Sequence, residues 1–347
     1  MSILFGCTGL RQKKFCVFNK QLTPEEYAKT LQSFDPCNPS HWKAAWDQFT
    51  AIKLSLPHRA FIGEQNENVS GNYIYESKDC QDCYNIRGCR DCRYCDMLRT
   101  SKDCMDYYVW GDNCERMYDC QCCGYAVQHL LFCCDCWEAS HDLMYCYQCV
   151  NGCGDCFGCI GLRHQKYCIL NKQYTKDEYE QLVPKIIEQM QKTGEWGEFF
   201  PVTISPFAYN ETSAQESFPL TENDAAARGW TWKEKLPSHA GTGTAMPVPT
   251  GDPMKLPDTL TEQIYTCEAT GKPFRIIAQE MRFYRENHLP LPRFHPDERH
   301  RRRALLRNPR KLWDRNCAKC SKAIQTSYAP ERPEKIYCEE CYLKEVY

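Results

Sequence analysis

The chain has 347 residues, with 45 acidic against 43 basic side chains for a net charge of −2, and 27 cysteines. That length accommodates two or three domains with a real core, and the near-neutral balance excludes a polyanion mimic or a uniformly basic nucleic-acid coat. No apolar run approaches the roughly 18 residues that a membrane-spanning helix requires, so no membrane partner is expected.

The N-terminus, MSILFGCTGLRQKKFC, lacks the charged start and cleavage site of an export signal and reads as mature protein. The expected setting is therefore the reducing cytoplasm, where cysteines pack or bind metal and do not form disulfides. The odd total of 27 and the many C-x2-C pairs agree with this.

The first element is half of an internal repeat. Residues 5–27 read FGCTGLRQKKFCVFNKQLTPEEY and residues 157–179 read FGCIGLRHQKYCILNKQYTKDEY, identical at 14 of 23 positions. Each copy carries two cysteines (Cys7 and Cys16; Cys159 and Cys168), a short apolar strand and Asn-Lys-Gln. A helix follows in each, opened by a capping box, Thr23…Glu26 or Thr175…Glu178. The pattern predicts a strand–turn–strand unit sealed by a helix at both ends of the cysteine-rich region, as the open ends of a solenoid require. A sharper alternative brings Cys7, Cys16, Cys159 and Cys168 together as one pseudo-symmetric metal site.

Next comes a helix with Ser40 as its expected cap and Trp42, Ala45, Trp46 and Phe49 on one stripe, expected in the core. Cys37 and His41 lie nearby, but one Cys and one His make a weak metal signal. Residues 1–62 thus read as the N-terminal repeat unit and its helices, and 63–71 as a polar loop.

Residues 63–235 read as a cysteine-rich body with the second repeat and capping helices. Nineteen of the 27 cysteines fall in 77–168. Cys80, Cys83, Cys89, Cys92, Cys95 and Cys104 are separated by multiples of three, after which the phase slips and resets. Helix signals are poor, SKDC recurs at Ser77 and Ser101, and short polar turns alternate with cysteine or aromatic residues. This predicts a β-solenoid in which small side chains stack in ladders, with cysteine as a small hydrophobe. The period continues through Leu98, Tyr107 and Trp110.

Two alternatives stand beside that reading. C-x2-C pairs also build zinc knuckles, so the body could hold several zinc ions. Iron–sulfur clusters use runs of C-x2-C-x2-C. Cys89, Cys92, Cys95 and Cys104 have the spacing C-x2-C-x2-C-x8-C, and Cys153, Cys156, Cys159 and Cys168 repeat it. The proline-terminated spacing of bacterial ferredoxins is missing. His129 and His141 read as packed or solvated histidines, with ligand or acid–base roles as the alternative.

Beyond the body a helix is expected from Thr175 to about Lys192, kinked or restarted by Pro184. An aromatic, proline-punctuated stretch follows, then a short helix from Thr221. Residues 236–258, rich in Pro, Gly and Thr, read as a linker.

The last segment, 259–347, has 18 basic against 12 acidic residues, a net +6 that leaves −8 for the remainder. Such asymmetry suggests a different partner for the tail. Cys317-x2-Cys320 and Cys338-x2-Cys341, 17 residues apart, have the spacing of a structural zinc site. Two knuckles supply four thiolates and close a tetrahedral shell, leaving no position for catalysis. Upstream, Cys267-x2-Thr270 and His295-x2-Glu298 look like a second finger with ligands replaced. Cys267 and His295 remain candidate ligands, helped by Glu298 or His300, beside a degenerate finger held by packing.

Between the two lies a strip of Arg299, Arg301, Arg302, Arg303, Arg307, Arg310, Lys311 and Arg315, with Asp314 its one acid. Arginine-rich strips suit phosphate backbones, and Trp313 and Tyr284 could stack on bases. RNA, DNA or a ribonucleoprotein is the expected partner. A solvated helix face, or pairing with the acidic body, is the alternative.

The repeat FGC-x-GLR…NKQ-x-T…EY, with the tail GKPFRI…FYRENHLPLPR…RNPRKLWDR…SYAPERPEKIYCEECY, resembles a group of uncharacterised cysteine-rich proteins of candidate-phylum bacteria that end in a zinc-ribbon-like finger. The resemblance covers most of the chain and implies zinc at Cys317, Cys320, Cys338 and Cys341. The upstream finger of that group often looks complete, and Thr270, His295 and Glu298 depart from a four-cysteine version. No activity follows from it.

The expected fold is mainly β: a cysteine-rich β-solenoid-like body capped by helices, plus a small C-terminal zinc-ribbon or treble-clef module. The expected function is a zinc-binding scaffold or adaptor that contacts nucleic acid or a ribonucleoprotein through its tail. A multi-metal or redox protein, with zinc or iron–sulfur clusters in the body, is the alternative. No nucleophile–base constellation, phosphate loop or H-x2-E-H-type helix points to an enzyme. The sequence leaves the oligomeric state open.

Overall fold

A computed structural model describes residues 4–234 and 243–346. Those residues are strand-rich, with eight α-helices and a cysteine cluster near the C-terminus. They form two compact units: Met1–His58, Phe207–Asn308 and Pro333–Lys335 in one, Arg59–Pro206, Pro309–Arg332 and Ile336–Tyr347 in the other. Of the expected linker, 236–242 lies outside the described residues.

The phase of three in the cysteine-rich region has a backbone cause. Every third residue takes a positive φ: Asp79, Asp82 and Asn85, then Asp91, Tyr94 and Met97. Asp and Asn reach this left-handed region more readily than most L-residues, because their short polar side chains bond locally. Each such residue turns the chain, and the residue after it points inward. Cys80, Cys83, Ile86 and Cys89 are accordingly at most 2% exposed.

Four triplets bring the chain back alongside itself. Lys78 pairs in parallel with Arg90, and Arg90 with Lys102. From Lys102 onward the step lengthens by one residue: Lys102 pairs with Glu115, Glu115 with Gln128, Gln128 with His141 and His141 with Gly154. Each longer turn contains two consecutive left-handed residues, at Asp112–Asn113, Tyr125–Ala126, Glu138–Ala139 and Asn151–Gly152. These insertions are the phase slips seen in the sequence.

The result is a 12-stranded, almost wholly parallel sheet. Within it, strands Arg90–Arg93 and Asp96–Arg99 both lie between Lys78–Arg87 and Lys102–Gly111, so these four close a ring of parallel pairings.

The inward ladder runs Cys92, Cys104, Met117, Leu130, Leu143, Cys156, Cys168. A turn of four triplets encloses little space, and protein interiors pack at crystal-like density, so one large side chain must be matched by small ones. Leu130 is buried with Cys133, Cys136 and Ser140, and Leu143 with Cys146, Cys149 and Cys153, all 0% exposed. The thiols are also satisfied. Cys133 Sγ has the Leu131 and Leu143 carbonyl oxygens at 3.4 and 3.5 Å.

The two repeat copies have the same internal geometry. Cys16 pairs with Gln21 and Cys168 with Gln173, both antiparallel. Asn19 accepts from Thr8 N at 3.0 Å and donates to Thr8 O at 2.8 Å, while Asn171 does the same with Ile160 at 2.7 and 2.8 Å. Both helices, Pro24–Ser33 and Lys176–Thr193, open with a complete capping box. Pro184 lies inside the second helix without ending it.

Three local expectations are corrected. Asn38, not Ser40, caps the helix Pro39–Ser55, with Pro39 as its first residue. That helix buries none of its residues, and Trp42 and Trp46 are 44% and 55% exposed, not core. The expected loop at 63–71 instead contains the strand Gly63–Glu64 and the start of Glu67–Tyr75, because the left-handed turns begin there, at Gln65 and Asn68.

Candidate metal centre

The tail site begins with a hairpin. Strands Trp313–Asn316 and Ala323–Thr326 pair antiparallel, and the link between them holds Cys317 and Cys320. Cys317 N donates to Lys322 O and Ser321 N to Cys317 O, at 2.8 and 2.9 Å, which folds the link into a tight knuckle. Ser321 completes it at φ 61°. Cys338 follows strand Lys335–Tyr337 directly, and Cys341 sits in the first turn of helix Glu339–Val346.

These elements bring the four Sγ atoms within 4.8 Å of one another, an arrangement that could hold a metal ion. A tetrahedral shell with metal–sulfur bonds of about 2.3 Å has edges of about 3.8 Å. The Cys320–Cys338 sulfur separation is 3.8 Å. Cys317 and Cys338 are buried, whereas Cys320 is exposed.

The electrostatics favour a cation. Burial alone would raise the Cys317 thiol, but N–H groups of Cys338, Cys320 and Lys319 point at its sulfur and bring it down to about 6. Cys341 is pushed the other way, up to about 12, by burial and by hydrogen bonding among the four thiols. One thiolate forms readily and further ones repel it, which a bound dication would relieve.

The hairpin is pinned to the first turns of the body. Asn72 Nδ2 donates to Ser327 Oγ at 2.6 Å, although the residues are 255 apart in sequence. Thr326 Oγ1 donates to Ala60 O at 2.7 Å, and Ala60 N to Tyr337 O at 2.9 Å. Arg310 pairs with Asp96 at 2.6 Å and lies over the Tyr108 ring. No local sequence signal announces these partners.

The remaining candidate ligands are placed otherwise. Among the described residues, no other group of three or more His, Cys, Asp or Glu side chains converges as the tail cysteines do. Cys89, Cys92, Cys95 and Cys104 line the body interior, and each thiol faces the carbonyl two residues before it, at 3.2–3.5 Å. Cys153, Cys156, Cys159 and Cys168 are likewise turned to backbone carbonyls. Cys7 and Cys16 do the same within the first repeat, in the other compact unit. The body thiols are shifted in both directions: burial pushes Cys133 well above its ordinary value, whereas hydrogen bonds from neighbouring thiols bring Cys80 down to about 3, so their ionisation does not by itself decide against metal. His129 and His141 share the Asp142 carboxylate, at 2.6 and 2.9 Å, on the exterior.

The basic strip is divided between the two units. Arg299, Arg301, Arg302 and Arg303 lie in helix Pro296–Ala304, which with Arg307 belongs to one unit, while Arg310, Lys311 and Arg315 belong to the other. Several are occupied. Arg299 pairs with Glu280 at 3.1 Å, Arg301 and Arg302 hold Glu298 at 2.7 and 2.8 Å, and Arg315 donates to Ala329 O. Arg302 also lies over the Phe294 ring, and Lys311 over Trp313.

No helix among the described residues is long and apolar enough to cross a membrane. Compared with known proteins, the chain matches no family model, and no curated protein matches it.

Proposed function

We propose that this protein is a non-catalytic scaffold whose C-terminal finger is a zinc-ribbon or treble-clef module holding one structural Zn2+ through Cys317, Cys320, Cys338 and Cys341. The observation that carries this is the convergence of four sulfurs within 4.8 Å on a hairpin and a helix N-terminus. Four thiolates complete a tetrahedral shell, so the ion folds the module and has no position left for a substrate. A single ion suits this set better than an iron–sulfur cluster, because the sulfurs lie within 4.8 Å of one another, and zinc is the ion we propose.

The body is a β-solenoid on this reading. Its support is the regular parallel pairing of consecutive turns and the unbroken inward ladder. Stacked thiols serve there as small packing groups. An adaptor role toward RNA or DNA rests on the exposed cations Arg303 and Lys311, with Trp313 beside the latter. The likeness to cysteine-rich bacterial proteins ending in a zinc-ribbon-like finger rests on the repeat FGC-x-GLR…NKQ-x-T…EY together with the tail cysteines and their flanking sequence.

Cobalt substitution tests the metal reading. The apo chain titrated with Co2+ should develop the visible bands of tetrahedral thiolate coordination, saturating at one ion per chain. Cys338→Ser should abolish the saturating signal. A colourless titration, or one unaffected by the substitution, would remove the proposal.

A further inference from the structure

The upstream segment reproduces the backbone of the tail finger. Tyr265 pairs with Phe274 and Thr266 with Pro273, and in the tail Arg315 pairs with Ile324 and Asn316 with Ala323, each position shifted by 50 residues. The knuckle hydrogen bonds repeat as well. Cys267 N donates to Lys272 O and Gly271 N to Cys267 O, both at 2.9 Å, matching Cys317–Lys322 and Ser321–Cys317 at 2.8 and 2.9 Å. The left-handed residue that ends the knuckle is Gly271 (φ 68°) in one and Ser321 (φ 61°) in the other.

The second halves also correspond. His295 immediately precedes helix Pro296–Ala304 and accepts from Arg299 N at 3.0 Å, while Cys338 immediately precedes helix Glu339–Val346 and accepts from Tyr342 N at 2.9 Å. The N–H groups aimed at Cys267 Sγ come from Ala269, Thr270 and His295, and those aimed at Cys317 Sγ from Lys319, Cys320 and Cys338. The four ligand positions of the upstream copy are therefore Cys267, Thr270, His295 and Glu298.

The side chains at the three replaced positions are each engaged locally. Thr270 Oγ1 accepts from Lys272 N at 3.4 Å. His295 Nδ1 accepts from Asp297 N at 3.1 Å as the helix cap. Glu298 is 4% exposed, and its carboxylate takes Arg301 Nε and Nη2 at 2.7 and 2.8 Å and Arg302 Nε at 2.8 Å. The segment also has its own apolar core, in which Cys267 packs with Tyr265, Phe274, Ile276, Met281 and Leu291. Small modules need a metal when such a core is lacking.

We propose that residues 265–304 form a second finger of the same build that folds without metal, its ion replaced by the Glu298–arginine pairs and the apolar core around Cys267. This rests on the tail cysteines being the chain's one zinc site. The prediction is that the fingers respond differently to chelation, one being metal-dependent and the other not.

Three measurements on the full chain test it. Zinc content of Cys317→Ser/Cys320→Ser should fall from one per chain to zero; zinc retained by that variant overturns the inference, whereas a wild-type chain without zinc overturns the reading of the tail instead. Thr270→Cys/His295→Cys/Glu298→Cys should bind a second zinc, and a folded variant that still binds one overturns the shared backbone. Should that variant fail to fold, hydrogen exchange of the wild type with and without chelator decides. Residues 313–346 should exchange at least about tenfold faster after chelation while 265–304 is unchanged. Equal loss of protection in both segments contradicts the proposal.

Discussion

The left-handed corners of the body give a sharp test of how the sequence builds it. Asp91 is exposed, lies at φ 53° and precedes the buried Cys92. Replacing it with valine leaves the interior untouched and puts a β-branched side chain in a backbone region that costs an L-residue about 1–2 kcal/mol. Glycine carries no such penalty, and its gain in unfolded-state freedom offsets part of the benefit, so Asp91→Gly should stay within about 0.5 kcal/mol of wild type. Asp79 and Asp103 lie at φ 51° and 52° on neighbouring turns. The triple valine variant should therefore lose about 3–6 kcal/mol, as the sum of three such penalties. Urea unfolding followed by circular dichroism reads the difference as a shift in midpoint at constant slope. If valine and glycine at position 91 proved equally stable, the claim that these residues turn the chain through the left-handed region would be wrong.

Three further outcomes follow from single groups. Cys133 is fully buried among thiols, so Cys133→Leu should destabilise by about 1–3 kcal/mol through overpacking, with Cys133→Ala less damaging, in the same urea assay. Glu298 is drawn from its ordinary 4.5 down to about 2 by hydrogen bonds from Arg301 and Arg302. A carboxylate with a lowered folded value stabilises fully above about pH 4.5 and loses that contribution as the pH falls through about 2. Hydrogen exchange of 296–304 should thus accelerate over that interval, and Glu298→Gln should flatten the dependence. For the tail, Arg303→Glu/Lys311→Glu should weaken salt-dependent RNA or DNA binding and lower the salt slope by about one per lost phosphate contact, while a variant that binds like wild type ends the nucleic-acid reading.

Much of this architecture was legible where one residue type does one job. The phase of three gave the inward positions, the Thr…Glu pairs gave both capping boxes, and C-x2-C spacing gave the tail cluster. The turn mechanism was present but unread. Asp-Cys recurs at 79–80, 82–83, 91–92 and 103–104, one residue to turn and one to bury. The slips in phase were legible only as irregularities, because two adjacent left-handed residues need not share a residue type: Tyr125–Ala126 and Glu138–Ala139 do it as well as Asp112–Asn113.

Other features depend on partners far away in the chain. Arg310 belonged to a basic strip in sequence, yet Asp96 takes it up. Trp42 and Trp46 have the spacing of a core stripe, but no core covers them. Amphipathic spacing fixes which residues share a helix face and not whether that face is buried. The upstream finger was visible through Cys267, but its register with the tail finger emerges only from backbone pairing.

Metal content per chain is the most direct test of the whole account. Native mass spectrometry with elemental analysis of protein purified without added metal should find one zinc and no iron, and the zinc should disappear in Cys338→Ser. Three or more metals per chain, or iron with visible absorption, would make the body's cysteines ligands and contradict their role as packing.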